Sequence, residues 1–128
     1  MSKAEINRML GVLASHPGIR ACALVDADTG MVWYHAGELP DIERTGEAAI
    51  ELWRVQTRLS PYFSALGALQ SAAYSFLNST IALFPCLPNP LVLVCIASKQ
   101  SIDWAPWGEN VKSLKKVLAT SEAAKRRP

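Results

Sequence analysis

Few side chains in this 128-residue chain are placed to do chemistry: Cys22, Cys86 and Cys95, the two histidines His16 and His35, and the close carboxylate pair Asp26 and Asp28. Three cysteines are an odd number, and they lack metal-ligand spacing. That argues against a disulfide framework or a zinc site and favours small core residues in reduced surroundings. A thiol beside an imidazole would make a nucleophile. His16 closes a helix and His35 sits on a strand, so a Cys–His pair needs both side chains exposed and adjacent in the fold. Burial of all three cysteines would remove that reading. Asp26 and Asp28 resemble an acid–base pair by spacing, yet both lie in the stretch VDADTG, where turn chemistry explains them. No GxxxxGK[ST] occurs, and no GxGxxG follows a strand, so the chain is not by itself a P-loop nucleotide hydrolase. The expectation is a non-catalytic protein needing no cofactor and no metal.

These residues hang on a scaffold centred on Ile19 to Gly37. Ile19–Val25 reads as a strand apolar on both faces, which belongs inside a sheet covered on both sides. Asp26 to Gly30 supply side-chain acceptors and a positive-φ position for a short hairpin loop. Met31–Ala36 is the return strand, alternating Val32, Tyr34 and Ala36 with Trp33 and His35. Before it, residues 3 to 15 form a helix with Ile6, Met9, Leu10 and Leu13 on one face, opened by a Ser2–Glu5 capping box and ended by His16, Pro17 and Gly18.

Half the residues are hydrophobic and the length suits one domain, placed at residues 1–120 with a basic, solvated tail at 121–128. A net charge of +2, with the basic residues dispersed, argues against a nucleic-acid partner. Residues 1 to 18 show no cleavable apolar run, so a cytoplasmic location is expected. The apolar window Thr80 to Ala97 is broken by Pro85, Pro88, Asn89 and Pro90, and it reads as two strands around a turn rather than a membrane span.

The second helix spans roughly 40 to 60. Glu43, Arg44, Glu47, Glu51, Arg54 and Arg58 crowd into an arc of about 100°, leaving an uncharged face about twice as wide. A helix on one sheet needs an apolar stripe only about 100° wide. The surplus points to a second contact, with Gly46 and Ala49 permitting close approach and Trp53 as either an interface anchor or core filler. The charged residues read either as a partner surface or as a solvated flank of pairs such as Glu51 with Arg54. Ser60 and Pro61 stop the helix, and Tyr62 to Leu66 connect it to Leu69–Phe76, a strand of small uncharged residues with none of the lysines or prolines that protect sheet edges. Thr80–Cys86 and the fully apolar Leu91–Ala97 follow as strands. A last helix, capped by Ser101 or Asp103, carries Val111, Leu114, Val117 and Leu118 on its inner face.

The order helix, strand, strand, helix, three strands, helix, with HPGIRACALVDADTGMVWYHAG after the first helix, resembles the roadblock family of dynein light-chain-type domains over about residues 3 to 120. Trp104 and Trp107 depart from the usual pattern, as a partner surface or as packing. The resemblance implies an α+β three-layer sandwich: a five-stranded antiparallel sheet, the first and last helices on one face, the second on the other, and the third strand at an edge. It implies a homodimer, or a heterodimer with a paralogue, through Gly46, Ala49, Trp53 and Gln56 of the second helix and Leu69, Ser71, Ala73 and Ser75 of the third strand. It also implies regulation of, or scaffolding for, a Ras-like small GTPase, for which Glu47, Glu51, Arg54 and Arg58 are the candidate surface. The alternative from another class is a small-ligand sensory domain of profilin-like architecture, with a pocket near Trp33, Cys22 or Cys95.

Overall fold

The computed structural model describes residues 3–86, 90–98 and 104–126, with side chains for all of these except Trp104 and residues 121–126. In chain order the elements are α1 (Lys3–Ala14), β1 (Ile19–Asp26), β2 (Val32–Gly37), α2 (Ile42–Leu59), a 3-10 helix (Ser60–Leu66), β3 (Ala72–Ser75), β4 (Ser79–Pro85), β5 (Leu91–Ser98) and α3 (Trp104–Arg126). The expected caps at Ser2 and at Ser101 or Asp103, and the turn residues Leu87 to Asn89, lie outside the described residues. The backbone of α3 runs on to Arg126, through most of the stretch expected to form a tail.

Five strands form one antiparallel sheet in the order β2-β1-β5-β4-β3. β5 is buried along almost its whole length, as its unbroken apolar run requires, while β2 alternates at one edge. Side-chain alternation divides the interior into two layers. Cys22, Leu24, Leu93 and Cys95 join Ile6, Leu10 and Leu13 of α1 and Trp107, Val111 and Leu114 of α3. Ala21, Ala23, Val25, Val92, Val94 and Ile96 join Ile42, Ala49, Ile50 and Trp53 of α2. Two helices therefore cover one face and one helix covers the other, in the architecture that the resemblance implied.

Trp107 resolves one alternative. It is buried, its ring centroid lies 5.2 Å from that of Phe84, and its Nε1 donates to Leu13 O at 3.2 Å, tying α3 to the end of α1. It is a packing residue.

Two expectations are corrected. Ser60 does end α2, as its C-cap, but Tyr62 to Leu66 are not a plain connection: they continue from Ser60 and Pro61 as a 3-10 helix, since proline suits a first turn, where no amide is needed. The third strand is also shorter than Leu69–Phe76. Phe76 N donates to Ser79 O at 2.8 Å, which phases the ladder so that Tyr74 and Ala72 exchange hydrogen bonds with Ile81 and Leu83. The next such pairing would set Gln70 against Pro85, which has no amide to give, so the ladder stops and Leu69 and Ser71 precede the strand. The same alternation turns Pro85 away from β5, where Cys86 N donates to Leu91 O at 2.9 Å, so the central ladder is intact. Among the described residues no helix is long and apolar enough to cross a membrane.

Gly11 and Gly37 provide a paired test of this packing. A Cβ on Gly37, at φ 110°, would lie 2.5 Å from Arg20 O and 2.6 Å from Ala21 Cα, whereas one on Gly11 in α1 meets nothing within 4 Å. In chemical denaturation Gly37→Ala should cost at least about 2 kcal/mol, and Gly11→Ala should gain about 0.5–1 kcal/mol.

Candidate functional site

The β1–β2 hairpin is built by its aspartate. Asp26 is buried, and its Oδ1 accepts the amides of Asp28 at 2.8 Å and Thr29 at 3.2 Å, while Gly30, at φ 79°, donates to Asp26 O. These are the turn bonds expected of such a side chain, and they absorb the acid–base spacing. Arg54 of α2 clasps the same loop. Its Nε donates to Ala27 O at 2.9 Å and its Nη2 reaches Asp28 O at 3.4 Å, with Glu51 paired to its Nη1. Arg54 is thus a bolt between α2 and the hairpin, and only Glu47, Glu51 and Arg58 of the proposed partner surface stand exposed.

The cysteines and histidines do not converge. Cys22, Cys86 and Cys95 are all buried on the α1–α3 side, and burial pushes the Cys86 thiol up to about 11, opposed in part by Lys115. His35 pairs across the ladder with Ala23, which faces α2, and its Nε2 lies 3.2 Å from Glu43 Oε1. His16 accepts from Asn110 Nδ2 at 2.9 Å. The Cys–His nucleophile is therefore removed. Among the described residues no group of three or more His, Cys, Asp or Glu is placed to hold a metal. Nor do Cys22 and Cys95 line a pocket: both are fully buried in the packed layer, while Trp33 borders an open surface depression with Lys3 and Asn7.

The wide face of α2 divides in a way that corrects the expected interface. Gly46, Ala49 and Trp53 lie against the sheet and are core, because Gly46 lets the helix settle until its missing Cβ would lie 3.2–3.3 Å from methyls of Val32 and Val25. The surplus apolar surface is instead Ala48, Leu52, Val55 and Leu59, spaced four, three and four residues apart and confined to about 60° of the helix. Ala48, Val55 and Leu59 are exposed and Leu52 is half-buried. Gln56, beside this stripe, donates through Nε2 to the Tyr74 hydroxyl at 2.8 Å, which ties α2 to β3 within the chain.

The surface continues past α2. Tyr62 and Leu66 of the 3-10 helix are each 82% exposed, Leu77 in the β3–β4 turn is 91% exposed, and Phe63, Leu69 and Phe76 are also open. β3 is a sheet edge, and the ladder phase turns the backbone of Ala73 away from β4, with Ser75 at the same parity. The signal that could have located this whole surface was in the sequence. No charged residue occurs from Leu59 to Ser98, a run far longer than the one strand singled out from composition.

The antiparallel sheet with two helices on one face and one on the other defines an α+β fold class, and solved structures specify it. The chain has the roadblock fold. It superposes on the roadblock/LC7 domain from Streptomyces avermitilis with a TM-score of 0.76 at 17% identity, covering 91% of this chain and 97% of that one. Myxococcus xanthus MglB gives 0.73 at 14% identity, over 97% of this chain and 99% of that one. The gliding protein MglB from Thermus thermophilus gives 0.71 at 14%, over 91% and 87%. No family model matches the sequence, and no curated protein matches it.

Two adjacent residues should now separate. Trp53→Ala should cost about 3–5 kcal/mol in denaturant unfolding as a core truncation. Arg54→Ala should cost about 1–2 kcal/mol and speed hydrogen exchange at Gly30 and Met31 while leaving the core amides protected.

Proposed function

We propose that this chain is a non-catalytic interaction module that assembles with a second copy of itself through α2 and β3, and that the dimer presents its outer α2 surface to a Ras-like small GTPase. The observation that carries this is the coincidence, on one side of the molecule, of an unprotected strand edge with an exposed apolar helical stripe. Each alone is a liability, and together they are the two halves of one interface.

The stripe favours a copy of the same chain over a different one. Its spacing of four, three and four reads identically in both directions, so an antiparallel second α2 would set Leu52 against Val55 and the small Ala48 against the larger Leu59. β3 is likewise short and uncharged, with Ala73 available at mid-strand to pair with its own copy. One of the similar structures is described as MglB with a tetrameric arrangement, which supports a reading by assembly.

The small-GTPase partner rests on the roadblock resemblance. A partner bound across the dimer would have its own hydrolytic residues ordered rather than supplied, since this chain brings no phosphate-binding loop. Glu47, Glu51 and Arg58, outside the apolar stripe, are the charges left to steer it. A location with such a partner would be the cytoplasm.

Light scattering on the dilute protein should give twice the chain mass. Val55→Glu with Ala73→Lys should give a folded monomer, because both positions are exposed in the single chain. A native monomer would overturn the dimer. Tested against small GTPases of its own genome, the dimer should bind one of them, and Glu47→Lys with Arg58→Glu should weaken that binding about tenfold or more. Full affinity in this variant would remove the charged arc from the docking surface.

A further inference from the structure

Cys22 and Cys95 face each other directly across the two central strands. The ladder pairs Cys22 with Cys95, and Ala27 N donates to Pro90 O at 2.9 Å, so the hydrogen-bonded pairs fall at Ala27/Pro90, Val25/Val92 and Ala23/Val94. Cys22/Cys95 is consequently a non-hydrogen-bonded pair, in which the Cα atoms approach to about 4.5 Å and the side chains lie closest. A disulfide needs about 4.4–6.8 Å between Cα atoms. Both side chains point into the layer under α1 and α3. Cys86 is on the same face but pairs with the strand at Leu91, four residues along β5 from Cys95, and its Sγ is turned to Phe84 O. The fold therefore selects one pairing of the three that the sequence allows.

We propose that Cys22 and Cys95 form a latent disulfide, closed by a peroxide across β1 and β5. One thiol loses its proton, and the thiolate attacks the peroxide O–O bond, giving a sulfenic acid and releasing water once the departing hydroxide takes up that proton. The second thiol then attacks the sulfenic sulfur, forming the S–S bond and expelling a second water with its own proton. Two thiols are oxidised and one hydrogen peroxide is reduced to two waters. The neighbouring Cys95 thiol and burial raise the Cys22 pKa, so Cys22 stays protonated in the closed fold and the reaction is slow, passing through moments when the α1–α3 layer opens. Once formed, the bond closes a loop that holds α2, the 3-10 helix, β3 and β4, the whole of the candidate interaction surface.

The test is peptide mapping of the reduced full chain after exposure to hydrogen peroxide, in native buffer and separately in denaturing urea, with free thiols alkylated afterwards under denaturing conditions. In native buffer the expected product joins Cys22 to Cys95, leaves Cys86 alkylated, lacks two hydrogens in its intact mass and reverts with dithiothreitol. Cys86→Ala should form the same link, and Cys95→Ala should form none. Three alkylated cysteines after native exposure, a link through Cys86, oxidation of single thiols to acids, or the same mixture of pairings in native buffer as in urea would each overturn it.

Discussion

The close approach of α2 to the sheet at Gly46 sets the roll of that helix, and the roll decides what the molecule shows to others. With no side chain at Gly46, the helix axis drops towards Val25 and Val32 until Ile42, Ala49, Ile50 and Trp53 are driven into the sheet. Arg54 then reaches the carbonyls of the β1–β2 loop and fixes the rotation on one side, while Gln56 reaches Tyr74 and fixes it on the other. Held at both flanks, the helix has no freedom to turn Val55 and Leu59 inwards. A bulkier residue at position 46 would lift the helix and misalign both flanking bonds together.

The two edges of the sheet are treated differently. β2 carries a register shift opposite Leu24 and Val25, a histidine paired with Glu43 and a positive-φ glycine at its end, features that twist and occupy an edge. β3 has none of these and stands unprotected, and only its brevity limits what it offers. Pro85 enforces that brevity from the neighbouring strand, so the edge offers only a short ladder to any comer. Specificity must then come from side chains on the helix beside it rather than from backbone pairing alone.

Much of the fold was legible because its strongest signals are local. The VDADTG turn, the two-sided apolar runs of β1 and β5 and the period of α1 each act over a few residues, and each was placed within a residue or two. The extent of β3 was not legible from its own composition, because its limit is the missing amide of Pro85, a residue of another strand brought alongside only by folding. The candidate surface was half legible for a similar reason. The excess width of the apolar face on α2 was countable, but assigning Trp53 to core and Val55 to surface required the roll of the helix, which depends on where Gly46 meets β1. Arg54 likewise has the composition of a surface charge and becomes a structural bolt only because the hairpin's carbonyls arrive beneath it.

The division of the sheet into two layers reaches beyond packing. Along β1 and β5 successive residues serve opposite layers, so Ala23 and Val94 belong with α2 whereas Cys22 and Cys95 belong with α1 and α3. The two sets of contacts share a backbone but few side chains. Substitutions in one layer are therefore shielded from those in the other, and their effects should add with little cross-talk. Such a chain is free to drift on its α2 side, acquiring new companions, while the opposite layer keeps the sheet intact. That separation offers a physical route by which one fold persists across sequences at 14–17% identity.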